Sequence, residues 1–246
     1  MVTQRRLSES ELLLLTAQDD TEEAPWMVMP DFQWRVISLF MSILRLHVRR
    51  RGLRWYLAAE LKVTMPRPGN DRPLDFAPDL MMAEAEDIER TSWNVRAEGP
   101  PPFVLEVVTE ESKGRDTEDK PPLYEAIGVR EYAIFAPRAR DGDPKLFGYR
   151  RDDEGRFVPW RADADGILWS TSLELGLYVE DGKWLRVRDA QGHRLPSAEE
   201  EAARAEQEAT RAEEQARRAE QEAAARRDAE AELEKLRALL QRQTDE

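Results

Sequence analysis

Residues 103 to 136 leave few folds open. The apolar run "FVLEVV" is followed by a polar loop, by "PPLYEAIG", and then directly by "EYAIFA". The two outer runs have the length and composition of strands. The inner one reads as a short helix, with prolines suited to its first turn and Gly128 suited to its C-terminal cap. A strand, a helix and a second strand joined by so short a link predict a parallel or mixed sheet with the helix packed on its face. One residue breaks the first strand's pattern. Glu106 places a carboxylate among Leu105, Val107 and Val108, where burial is expensive unless the group is paired, hydrogen-bonded or bound to a cation.

Upstream, "DFQWRVISLFMSILRLHVRR" has apolar residues at 32, 36, 39, 40, 43 and 44, a helical spacing with Asp31 as the expected N-cap. This core-facing helix ends in Arg45, Arg49, Arg50, Arg51 and Arg54, a basic cluster read as a solvated helix end that complements the dipole, with phosphate contact as the functional alternative. "LRWYLAAELKVTM" at 53 to 65 reads as a strand or a broken hairpin, and "RPGNDRP" as turn. In "FAPDLMMAE" a short strand begins beside Asp79. Downstream, "KLFGYRRDDEGRFVPW" and "LGLYVEDGKWLRV" read as hairpins, the second with Asp181-Gly182 as its two-residue turn. Their aromatic residues, among them Trp160, Trp169, Trp184, Tyr149 and Tyr178, are expected to pack and cover edges rather than stack on bases.

From residue 201 the chain repeats every seven residues. Alanines at 202, 205, 209, 212, 216, 219 and 223 keep a three-four spacing, and the seam then shifts to Leu233, Leu236 and Leu240. The pattern predicts a long helix and a weak coiled coil, most simply a homodimer, against a single solvated helix held by Glu and Arg pairs. Charge follows the same division. The last fifty residues carry 9 basic and 15 acidic side chains within a total net charge of −13, so neither part looks like a polybasic nucleic-acid binder. An acidic balance still permits a local basic groove, while arguing against strong non-specific DNA affinity. The expected organisation is an N-terminal arm over 1 to 28, an α/β domain over 29 to 196, and a coiled coil over 197 to 246.

Composition narrows the chemistry. Cysteine is absent and the histidines are His47 and His193, which excludes disulfides, thiolate catalysis, zinc fingers, iron–sulfur clusters and multi-histidine metal sites. A metal held by these side chains would be a hard, oxygen-liganded ion such as Mg²⁺ or Mn²⁺. The longest apolar run, "VISLFMSIL", is too short to span a bilayer, and acidic residues flank the "LLLL" near the N-terminus, so a soluble cytoplasmic chain without a membrane partner is the expectation.

Phosphodiester hydrolysis with hard metals needs carboxylates converging on one point, usually with a lysine nearby to stabilise charge. Asp79 and Glu106, at or on neighbouring apolar strands, supply such a pair. Their sequence trace is Pro-Asp followed by Glu-x-Lys, because residues i and i+2 of a strand share a face. Here Val108 occupies the lysine's place. A literal match at Pro30-Asp31 with Glu60-Leu61-Lys62 is set aside because Asp31 opens a helix.

"APDLMMAEAED" together with "PPFVLEVVTEESKGRDTEDKPPLYEAIGVREYAIFAP" resembles the bacterial putative restriction endonuclease family (DUF820 type) of the PD-(D/E)xK nuclease superfamily. The likeness continues through "GRFVP", "LELGLYVEDGKWLRVRDAQGHRLPS" and the Ala-Glu-Arg-rich tail. It implies a restriction-endonuclease-like core: a mixed sheet flanked by helices, with added hairpins and the C-terminal coiled-coil helix. It also implies Mg²⁺- or Mn²⁺-dependent hydrolysis of DNA through a metal-activated water. By position, Asp79 and Glu106 would be the metal carboxylates, and Lys120 would replace the absent strand lysine. Tyr124, one turn on, would pack or position. A residue before proline avoids the helical region, so the helix is expected to start at Pro121 with Lys120 at its entrance, and Lys113 is the substitute. The rival is a catalytically degraded nuclease fold serving as a coiled-coil interaction or dimerisation module.

Overall fold

The structure, a computed structural model, describes residues 31–67, 70–109, 112–137, 139 and 145–244; the arm expected over 1 to 28 lies outside the described residues. Helix α1 (Asp31–Arg51) buries Val36, Phe40, Ile43 and Leu44 of the expected stripe, with Phe32 and Leu39 partly buried, and widens it with Ile37, Met41 and Leu46. Asp31 lies in its first turn and pairs with Arg35, while Arg49, Arg50 and Arg51 fill the last turn, where cations complement the dipole.

The run at 53 to 65, read as a strand or a broken hairpin, holds two strands, but they join different sheets and do not pair as a hairpin. Strand β1 (Tyr56–Ala58) is an edge of the central sheet, whereas β2 (Val63–Arg67) pairs antiparallel with β3 (Asn70–Phe76). The supposed turn "RPGNDRP" is therefore partly strand, with partner pairing overriding local Gly and Pro preference. After β4 (Leu80–Ala83), the short β5 (Trp93–Asn94) completes that outer sheet beside β2, and Asn94 caps the single turn α2 (Val95–Glu98).

The segment that limits the fold behaves as its length requires. Strand β6 (Phe103–Val107) leads into a π-helical turn over Arg115–Asp119, then α3 (Lys120–Ile127), then β7 (Glu131–Phe135). β6 and β7 are parallel neighbours, with Phe103 beside Glu131 and Val107 beside Phe135. Gly128 ends α3 in the left-handed conformation at φ 97°. The hairpin β8 (Leu146–Arg151) and β9 (Phe157–Arg161) extends the same sheet, giving the order β1-β4-β6-β7-β8-β9. A separate antiparallel sheet follows, made of β10 (Leu168–Ser170), β11 (Leu175–Glu180) and β12 (Trp184–Arg188), with Asp181 and Gly182 both at positive φ in its turn.

Strand alternation sorts the core onto the two faces of the central sheet. Leu80, Met82, Phe103, Leu105 and Val107 join α1 and the β10–β12 sheet in one cluster. Met81, Val104, Tyr132 and Ile134 join Tyr124 and Ile127 of α3 in the other. Glu106 has the parity of Val104, so it faces α3.

The chain divides into two compact units, Met1–Ser197 and Ala198–Glu246. The second contains one continuous helix, α4 (Ala198–Thr244), whose residues 202 to 235 are all exposed. Among the described residues no helix is long and apolar enough to cross a membrane.

Candidate active site

Glu106 is 1% exposed, and its environment accounts for a carboxyl in an apolar strand. The Tyr124 hydroxyl donates to Oε1 at 2.6 Å and the Lys120 ammonium approaches the same oxygen at 2.8 Å. Among the described residues, Oε2 receives a long contact, from the Asp79 backbone N–H at 3.4 Å. Both α3 donors reach it because positions 120 and 124, one turn apart, share the helix face that lies on the sheet.

Asp79 stands immediately before β4, which pairs antiparallel with β6, so its carboxylate meets the end of the strand carrying Glu106. Its Oδ2 accepts the Val107 backbone N–H at 2.6 Å, and Gln33 of α1 donates to Oδ1 at 3.0 Å and to Oδ2 at 2.9 Å. Burial raises the Asp79 pKa, against the opposing pull of the Val107 N–H, Lys120 and Gln33. Burial is likewise the main reason Glu106 is pushed up to about 8, with Lys120 opposing the rise and Asp79 and Asp116 adding to it.

Lys120 departs from expectation. It is the first residue of α3 and helical itself, at φ −72° and ψ −33°, although Pro121 follows. The turn before it is wide: the Lys120 N–H bonds to the Arg115 carbonyl, five residues back. Two consecutive prolines remove the donors that would close ordinary turns on Thr117 and Glu118, and a proline ring crowds the carbonyl four residues earlier. A π turn accommodates both effects. The lysine side chain is 14% exposed and lies between Glu106 and Asp116, whose Oδ1 is 2.7 Å from Nζ. Burial would lower the Lys120 pKa, but Glu106 and Asp116 more than offset it and the net shift is upward.

The structure thus brings Asp79, Glu106 and Lys120 together with Tyr124, expected to pack or position, and adds two partners that the sequence reading did not assign, Gln33 and Asp116. Asp116 had a signal in its i, i+4 relation to Lys120, while Gln33, 46 residues from Asp79, had none. Lys113 is exposed, and its carbonyl accepts the Thr117 hydroxyl. The set-aside motif is dispersed: Asp31 pairs with Arg35, and Lys62 lies 3.6 Å from Asp75. Its Glu60, however, stands near the site, at φ 51° with its N–H on the Pro78 carbonyl. Burial and then Asp79 raise the Glu60 pKa. The arginines ending α1 are remote, roughly 25 Å along the axis from Gln33 at ~1.5 Å per residue.

The donor set suits a hard divalent cation. Two adjacent carboxylates offer oxygen ligands, and Glu106 Oε2 has acceptor capacity to spare. Among the described residues no group of three or more His, Asp or Glu side chains is arranged to hold a metal. Mg²⁺ nevertheless commonly takes only one or two carboxylates and keeps waters or phosphate oxygens in its remaining positions.

A family model described as Uma2, putative restriction endonuclease, matches residues 22 to 180. Among solved structures, the chain is similar to a putative nuclease belonging to DUF820 from Anabaena variabilis ATCC 29413. The identity is 13% and the TM-score 0.48, with 66% of this chain and 86% of that chain covered. No curated protein matches it.

Proposed function

The chain belongs to the Uma2 putative restriction endonuclease family, and from that premise we propose that it hydrolyses DNA phosphodiester bonds in a Mg²⁺- or Mn²⁺-dependent reaction at Asp79, Glu106 and Lys120. The observation that carries this reading is the meeting of a buried carboxyl, a partly buried one and an ammonium at the end of two paired strands. A divalent ion held by Asp79 and Glu106 would supply Lewis-acid charge for the phosphate and acidify an attacking water. Gln33 and the Val107 N–H fix the orientation of Asp79. Tyr124 and Lys120 engage Oε1 of Glu106, which leaves Oε2 toward Asp79. The Lys120 ammonium is the group that stabilises charge developing on phosphate oxygens.

The test is cleavage of supercoiled plasmid DNA with Mg²⁺ or Mn²⁺. Glu106→Gln keeps the shape of the side chain and should lower the rate by roughly 10²–10³-fold, the scale of losing one preorganised electrostatic group. Undiminished cleavage by a folded Glu106→Gln chain would reject the assignment.

The second reading, a nuclease fold retained as an interaction module, is favoured by α4, whose exposed alanine seam offers a surface for a second copy of the chain. It expects no Mn²⁺ binding by calorimetry at millimolar metal, whereas the hydrolytic reading expects binding that Asp79→Asn weakens.

A further inference from the structure

Asp116 is 2% exposed, a buried carboxylate that the hydrolytic scheme does not use. Its backbone is anchored on both sides: the N–H bonds to the Ser112 carbonyl at 2.9 Å, and its carbonyl accepts the Tyr132 hydroxyl at 2.6 Å. The second bond depends on the π turn. In a regular α-helix the Lys120 N–H would take the Asp116 carbonyl; here it bonds to Arg115 and leaves that carbonyl to Tyr132 of β7. The turn is thereby tied to the sheet, and its carboxylate lies 2.7 Å from Lys120 Nζ.

We infer that Asp116 is a positioning residue, whose carboxylate holds the Lys120 ammonium beside Glu106 and serves as its counter-ion. The inference rests on the hydrolytic reading of Asp79, Glu106 and Lys120. A lysine has four rotatable side-chain bonds wherever it sits, and at a helix start no strand pleat aims it toward the neighbouring carboxylates. Contacts to two carboxylates, one from its own helix and one from the sheet, supply that restraint. Charge counting points the same way. With Asp116 balancing Lys120, the charges of ionised Asp79 and Glu106 remain to match a divalent cation; with Lys120 balanced by Glu106 alone, half of that match would be spent.

Two measurements on the full-length chain test the inference. Relaxation of ¹³Cε-labelled lysines in the metal-free protein should show an ordered Lys120 that becomes mobile in Asp116→Asn, with Lys145 unchanged. A Lys120 already mobile in the unsubstituted chain, or equally ordered in Asp116→Asn, overturns the proposal. The unsubstituted chain carries that test even if the variant does not fold. On plasmid DNA with Mg²⁺, Asp116→Asn should lower kcat roughly 10- to 100-fold with KM within about twofold, the scale of a misplaced reacting group. The double variant Asp116→Asn/Lys120→Met should be no slower than Lys120→Met, because Asp116 acts through the lysine. Losses that multiply would instead mark Asp116 as structural and overturn the proposal. A chain that cleaves no DNA with either metal would sink the hydrolytic reading, and the ordering measurement would then decide the role of Asp116 alone.

Discussion

Glu106 is where burial and chemistry meet in one side chain. Its pKa is raised, chiefly by burial, to about 8 in the folded chain, from the ordinary glutamate value of 4.5. A carboxyl shifted upward contributes stability that is present below the unfolded value and is lost as pH rises through the folded one. Between pH 4.5 and 8 the metal-free chain should therefore lose stability relative to Glu106→Gln, by on the order of a few kcal/mol. Urea unfolding of both chains at pH 5 and pH 8 measures this, and a constant difference would contradict it. A divalent ion competes with that proton, so Mn²⁺ affinity should strengthen from pH 6 to pH 8, with proton release visible by calorimetry in two buffers. Glu131, the other fully buried glutamate among the described residues, has a structural setting. It accepts hydrogen bonds from Ser170, Thr171 and Ser172, and Arg150 lies 3.1 Å away. Glu131→Ala strands these donors at the junction of β7 with the segment after β10, and should cost about 3–5 kcal/mol in urea unfolding.

At the level of elements, the turn 115 to 119 shows how two prolines shape a site through the backbone donors they lack. They remove helical N–H donors, the turn widens, and the Asp116 carbonyl becomes available to Tyr132. Tyr132→Phe leaves that carbonyl without its buried donor, which should cost about 1–3 kcal/mol and slow DNA cleavage by loosening the turn that carries Lys120. Equal stability of the two chains would show that the tie is unimportant. The parallel pair β6 and β7 was readable because the chain between them is too short for much else. The hairpin at Asp181-Gly182 was readable because both residues tolerate positive φ. Strand β3 was not, since "RPGNDRP" is turn-forming by itself and only pairing with β2 makes part of it extended. The helical start at Lys120 was hidden for a related reason: the rule against helical residues before proline is local, and packing overrode it.

Across the whole molecule, charge sets conditions on both proposed partners. At a net charge of −13 the proposed DNA substrate would be held by few phosphate contacts, so cleavage should fall only shallowly with added salt compared with a basic nuclease. Along α4, the alanine seam is flanked on one side by Glu206, Glu213 and Glu220 and on the other by Glu201, Glu208 and Glu222. In a homodimeric coiled coil those flanks face one another and repel. Self-association through α4 is therefore expected to be weak at neutral pH and low salt, and to strengthen in high salt or near pH 4. Sedimentation velocity under these conditions checks this, and a tight dimer at neutral pH and low salt would contradict it.

The sequence by itself determined the parallel strand pair, the carboxylates Asp79 and Glu106 beside it, and the long C-terminal helix. Each follows from local rules of spacing, turn chemistry and periodicity that act within a few residues. Only the tertiary structure decided which groups surround those carboxylates. Gln33 reaches Asp79 from a helix 46 residues away, and Asp116 and Tyr132 meet through a turn whose width depends on missing donors. Such contacts depend on how faces pack across a sheet, and one strand or helix read alone carries no trace of what will lie against it.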